Sequence, residues 1–166
     1  MGSLGSADFK ELIEFQKKLQ QLEKDRAEFC ERCSKALAGR LLRLVIDRTP
    51  VGQYEEDSGM VGGTLRRGWT GEKETSAAAY IKSLPIYKNG DYYTIVIKNP
   101  VEYASYVEFG HRTRGKLDKA TGKWLVGIGW VNGRYMLTLS EKDLEAIAPA
   151  VLERELNKFF KEIFDE

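Results

Sequence analysis

Three sets of residues in this chain have the types and spacing that chemistry requires. His111, the single histidine, stands three residues after Glu108 and six after Ser105. That spacing could pair a general base with an acidic orienter or with a hydroxyl nucleophile. No nucleophile elbow or oxyanion-hole signature accompanies it, so a surface or contact histidine in a Gly-His-Arg-Thr-Arg turn is the simpler reading. Cys30 and Cys33 form a C-x-x-C, the spacing of a redox pair or of half a zinc site. Zinc needs two further ligands, and the only histidine lies far along the chain. Inside a strongly helical pattern the two cysteines read as small packing residues.

Nucleotide signatures fail on inspection. Gly122-Lys123 is followed by Trp124 instead of Ser or Thr, and position 117 is Leu where a phosphate loop wants Gly. Gly127, Gly129 and Gly133 miss the dinucleotide spacing by one residue. The sequence therefore assigns no catalytic, cofactor-binding or metal-ligating residue. The remaining charge feature is the loop 111–123. It carries Arg112, Arg114, Lys116, Lys119 and Lys123 against Asp118 alone. Three readings stay open for it: a solvated loop, a contact with an acidic neighbour such as the run Glu55-Glu56-Asp57, or phosphate contacts with passing DNA. The last would make the chain a nucleic-acid-binding module.

The composition sets the frame for these residues. A chain of 166 residues suits one domain, here expected over 7–166. Met1–Ser6 read as a cloning remnant. Lys and Arg total 26 against 25 Asp and Glu, so no global field draws the chain to nucleic acid or membrane. No apolar run approaches the roughly 20 residues of a membrane span.

The elements follow from periodicity. From position 7 to 48, apolar residues at Phe9, Leu12, Phe15, Leu19, Leu22, Phe29, Cys33, Leu37, Leu41, Leu44 and Val45 recur in steps of three and four. This predicts a helix of about 60 Å at ~1.5 Å per residue, long enough to project or to pack on another subunit, or else two helices broken near Gly39. Asp8 is the expected cap, and Thr49-Pro50 the expected end. Residues 50–76 read as a long loop. Within it Leu65-Arg-Arg-Gly-Trp69 could present Arg66, Arg67 and Trp69 to a partner, or fold Trp69 back on the core. Tyr80–Tyr87 reads as an edge strand, Asn89-Gly90 as a hairpin turn and Tyr92–Lys98 as a central strand. Val101–Phe109 reads as a short helix seated on the sheet by Tyr103, Tyr106 and Phe109 and capped by Gly110. The segment 124–130 reads as a strand or an irregular buried stretch. Ser140 and Asp143 suggest the start of a last helix, kinked at Pro149. The sum is an α+β fold, an antiparallel sheet centred on 80–98 and covered by long N- and C-terminal helices, with a short central helix.

The ordered pieces Arg48-Thr49-Pro50-Val51, Gly63-Thr-Leu65-Arg-Arg-Gly-Trp69 and Asn99-Pro-Val-Glu-Tyr103-Ala-Ser-Tyr106-Val-Glu108-Phe109-Gly110 resemble the small head–tail connector family. That family comprises neck, collar and tail-completion proteins of long-tailed phages, defective prophages and phage-tail-like bacteriocins. The resemblance covers about 36–163, ending in Gly133-Arg-Tyr-Met-Leu137 and a long amphipathic helix. The chain departs from the family pattern at an apparent insertion, Gln53–Val61, and in the long loop after Gly110. The resemblance implies a non-enzymatic ring subunit, six-fold symmetry being one option, between portal-side connectors and the tail tube or terminator. Its implied partners are further copies of itself, connector, terminator, tube or sheath proteins, and non-specific DNA in a channel. Its implied place is the bacterial host cytoplasm during assembly, then a virion or tail-like particle. The residues expected at partner interfaces are Arg66, Arg67, Trp69, His111, Arg112, Arg114, Lys116 and Lys119. Those expected to be structural are Thr49, Pro50, Leu65, Tyr103, Tyr106, Glu108, Phe109 and Gly110.

Overall fold

The computed structural model describes residues 9–53, 59, 62–71, 76–113, 115–118, 120–125 and 129–164. Met1–Ser6, the cap expected at Asp8, the acidic run at 55–57 and most of the insertion at 53–61 lie outside them. The described fold is α+β. Helix α1 spans Lys10–Arg48 and α5 spans Met136–Phe164. Between them lie α2 (Thr64–Gly68), α3 (Ala77–Ser83), α4 (Ala104–Phe109) and the short strands β1 (Tyr87–Asn89), β2 (Tyr92–Thr94), β3 (Gly110–Arg112), β4 (Lys116–Leu117), β5 (Trp124–Leu125) and β6 (Trp130–Asn132).

Helix α1 runs unbroken through Gly39. The propensity penalty of a glycine there, about 1 kcal/mol, is small beside the packing along 39 residues. The helix stops where Thr49 turns extended (ψ 120°), the geometry a following proline imposes. Helix α5 lies antiparallel along α1. Arg48 bonds Ser140 Oγ at 3.0 Å and pairs with Asp143 at one end. Phe29 stacks on Phe159, ring centroids 4.8 Å apart, farther along. Lys18 reaches the Phe164 carbonyl oxygen at 3.3 Å and lies over its ring near the other end. Cys33 is buried and Cys30 half-buried on this seam, both as free thiols. The core sits at the Arg48 end, where Ala38, Leu42 and Val45 of α1 meet Leu65, Trp69, Ile81 and Met136.

The sheet differs from its expectation. In place of one sheet centred on 80–98, the described residues form three two-stranded antiparallel ribbons, β1–β2, β3–β6 and β4–β5. Half of the expected edge strand at 80–87, Tyr80–Ser83, is the end of α3, and only Tyr87 is strand. Ser76 caps the helix by accepting from Ala79 N–H, and Ala77-Ala-Ala79 supply helix propensity ahead of the β-rich residues. Pro85 then forces the exit. The hairpin occurs as expected but one residue later. Asn89 pairs with Tyr92, so Gly90 (φ 60°) and Asp91 are the central pair, the pattern of a type II′ turn. The expected central strand is hydrogen-bonded only over 92–94, and 95–100 continues extended without a ladder.

At the C-terminal side α5 begins a turn earlier than the Ser140 box suggests. Ser140 is fully buried inside the helix, donating to Met136 O. The helix start is capped from elsewhere. Buried Glu108 on α4 accepts from Leu137 N–H and Thr138 N–H, each at 3.0 Å, and from Thr138 Oγ1 at 2.8 Å. A carboxylate suits that place because a helix N-terminus leaves amides unpaired and carries partial positive charge. The helix continues through Pro149 to Phe164. Of the segment 124–130, Trp124 and Leu125 form β5 and Trp130 opens β6, exposed and paired across to Arg112, while 126–128 lie outside the described residues.

Two outcomes follow from this packing. Glu108→Ala should lower stability by about 2–3 kcal/mol in urea unfolding, the cost of leaving buried amides unpaired and the helix end uncharged. Glu108→Gln, which keeps an acceptor, should lose clearly less. Burial pushes the Cys33 thiol above its ordinary range. In the native protein at pH 8 it should therefore react with a disulfide reagent many-fold more slowly than Cys30, and the two rates should converge in denaturant.

Candidate functional site

The three sequence pieces converge on Thr49. Its hydroxyl donates to Val45 O at 2.6 Å, closing the last turn of α1, and accepts from Trp69 Nε1 at 2.8 Å. Its carbonyl oxygen accepts from Arg66 Nε at 3.2 Å and Nη2 at 2.8 Å. Thr49 is wholly buried, Trp69 is 4% exposed and Leu65 is buried beside it. The packing reading of Trp69 is therefore the one the structure shows. An aromatic anchor for a partner would need a free face, and this indole is enclosed with its N–H satisfied. Arg66 is likewise tied to Thr49, whereas Arg67 is exposed, held to Gly62 O at 3.1 Å and close to Thr64 Oγ1. Pro50 is exposed and serves to end α1.

Asn99 brings in the third piece, and sequence reasoning did not single it out. Its Nδ2 donates to Leu65 O at 2.7 Å and its Oδ1 accepts from Val101 N–H at 3.1 Å. The Asn-Pro pair that signals such an Asx-type turn was visible. Gly68 lets α2 approach closely, since a Cβ there would run into Asn99 Oδ1 and Val101.

The block 103–114 divides differently from its expectation. Tyr103, Tyr106 and Phe109 do not seat α4. They are 44%, 57% and 61% exposed. Ala104 and Val107 pack against the core, and Glu108 is the buried residue. Six residues make fewer than two turns, so one face is spent on Val107 and Glu108, and the rings fall outward. Gly110 ends α4 at φ 82°, and a side chain there would collide with Val131 O. A small cleft of about 270 Å³ opens between Trp69, Ala104, Glu108 and Met136, but the Glu108 carboxylate is already engaged by α5.

After Gly110 the expected basic loop is an antiparallel arm. His111 faces Val131 and Arg112 faces Trp130. Thr113 and Gly129 exchange bonds of 2.9 and 3.1 Å, and Lys116 and Leu117 pair with Leu125 and Trp124. Asp118 shapes the tip by accepting from Thr121 Oγ1 and Ala120 N–H, which in that order hold its carboxyl below the usual range. The His111 ring meets Tyr106 edge-on at 5.6 Å, and its Nδ1 is buried without a hydrogen-bond partner among the described residues. Glu108, committed to α5, does not orient it. Arg114 and Lys119 lie outside the described residues, so the basic side of the arm is represented there by Arg112 and Lys123, both exposed, and the backbone of Lys116.

Thr49→Val should therefore cost about 1–3 kcal/mol in chemical denaturation, because it strands a buried indole N–H. Adding Trp69→Phe should cost less than the two single changes summed, since the donor then goes with its acceptor.

No curated protein and no solved structure matches the chain. A family model described as "Bacteriophage HK97-gp10, putative tail-component" matches residues 13–110. That span holds α1 from Ile13 on, the Thr49–Trp69–Asn99 convergence and α4, and it ends at Gly110 where the arm begins. Covering more than half of the 166 residues, it agrees with the order of motifs and with their meeting in space: the chain belongs to the HK97-gp10-like family of bacteriophage tail components.

Proposed function

We propose that the chain is a ring-forming structural subunit at the neck or head-proximal end of a phage tail or tail-like particle, joining the connector to the tail tube or terminator. The family match to a tail component carries this reading. A tail-component family points to a building block and away from catalysis. Residues 7–166 would act as one unit, assembled in the host cytoplasm and then retained in the particle.

The surface supports the reading. Phe9, Leu12, Ile13, Phe15 and Leu19 on the first part of α1 are exposed, with Leu152, Leu156 and Phe160 on α5. Tyr103, Tyr106, Phe109 and Trp130 are exposed around the arm root. Apolar surface on this scale marks contact sites more often than solvent faces. A ring subunit meets neighbours on two different faces and further components above and below.

Particles produced without this protein should accumulate heads and tails that fail to join, or tails of defective ends, and adding it back should restore them. The purified chain, alone or mixed with connector and tail-tube proteins, should form closed rings visible by negative-stain microscopy. Normal particles in its absence would overturn the proposal.

A further inference from the structure

Residues 92–100 alternate as a single strand does. Tyr93, Ile95, Ile97 and Asn99 are half-buried, while Tyr92, Thr94, Val96 and Lys98 are exposed. Only 92–94 has a partner strand. The ladder stops there because the facing chain runs into Pro85, which has no N–H to give. Among the described residues, the backbone groups of 95–98 have no hydrogen-bond partner within the chain. Unpaired extended backbone is a template for an added strand.

Beside it runs an open apolar groove of about 470 Å³, walled by Leu37 and Leu41 of α1, Ile95 and Ile97, and Leu144 of α5, with Glu141 also lining it. A strand laid on 95–98 would roof this groove. The same chain carries a strand-forming element that is itself unused. Among the described residues of 110–132, none belongs to the core or packs against it, the strands pair with one another, and Trp130 and Val131 are exposed. The arm's sequence is basic, with five Lys and Arg against Asp118 over 111–123, and the groove offers Glu141.

We infer that the arm of one copy docks along the open 95–98 edge and groove of the next copy. This rests on the ring reading and supplies its subunit contact. Donor and acceptor are different patches of one chain, so the contact is head-to-tail and propagates until rotation closes it. Backbone pairing along 95–98 gives the attraction, and apolar arm residues over Leu144 and Ile97 give the register.

The test uses the full chain with Trp130→Ser, which blunts the arm, and with Val96→Pro, which blocks the edge, Leu144→Arg serving as a second groove variant should Val96→Pro lose its helical circular dichroism. Each variant alone should be monomeric by sedimentation at concentrations where the wild type assembles. An equimolar mixture of an arm variant and an edge variant should form a dimer and stop, because one intact arm meets one intact edge. Variants that assemble like the wild type, or a mixture that stays monomeric, overturn this contact and leave the ring reading standing. A wild type that is monomeric even with connector and tail-tube proteins overturns both. A monomeric wild type that binds tail-tube protein, and loses it on Val96→Pro, assigns the edge to that protein and overturns contact between copies.

Discussion

A buried carboxylate at a helix start holds the C-terminal half of this molecule in place. Glu108 spends both oxygens on the first turn of α5, and its neighbours carry the same join in backbone form, with Val107 O accepting from Arg134 N–H and Glu108 O from Tyr135 N–H. Taking a charge out of water is costly unless every lone pair is used. Here oriented amides and a hydroxyl supply that compensation. The consequence is geometric: α4 cannot shift relative to α5 without exposing an unpaired charge. Gly110 and Gly133, packed against each other's strands at the arm root, are fixed with it.

The other half is organised around Thr49 in the same way, by a small polar residue carrying several bonds in a dry place. One hydroxyl ends α1 and receives Trp69, and one carbonyl receives Arg66. These short motifs are polar at their centres, which explains why they read in sequence as surface features. Periodicity located α1 and α5 because each buries a continuous stripe. It failed at 80–87, where a cap and three alanines outweighed β-branched and aromatic content, and at 92–98, where alternation was correct but, among the described residues, no strand pairs with it beyond 94. The aromatic block misled for a related reason. Tyr106 and Phe109 look like core residues by type, yet a helix of fewer than two turns has one inner face, and Val107 and Glu108 occupy it. Only tertiary contacts could reveal that a charged residue takes the inside position.

What remains on the outside is a consistent set. Aromatic rings stand around the arm root, an apolar run lines the first turns of α1, and a strand edge lies open beside a groove. A monomer built for solvent would blunt such an edge with charge or cover it. In this chain the outward residues of 95–98 are Val96 and Lys98, so one charge stands at the far end of the edge while Val96 leaves its middle apolar, and Pro85 removes the internal partner that would have covered it. Each half of the fold is rigidly joined by buried polar bonds while its apolar surplus faces outward. Rigidity of that kind lowers the entropy lost on association. In the proposed ring each contact would have to repeat at one angle, and an arm rooted between Glu108 and α5 is held to a single direction of departure.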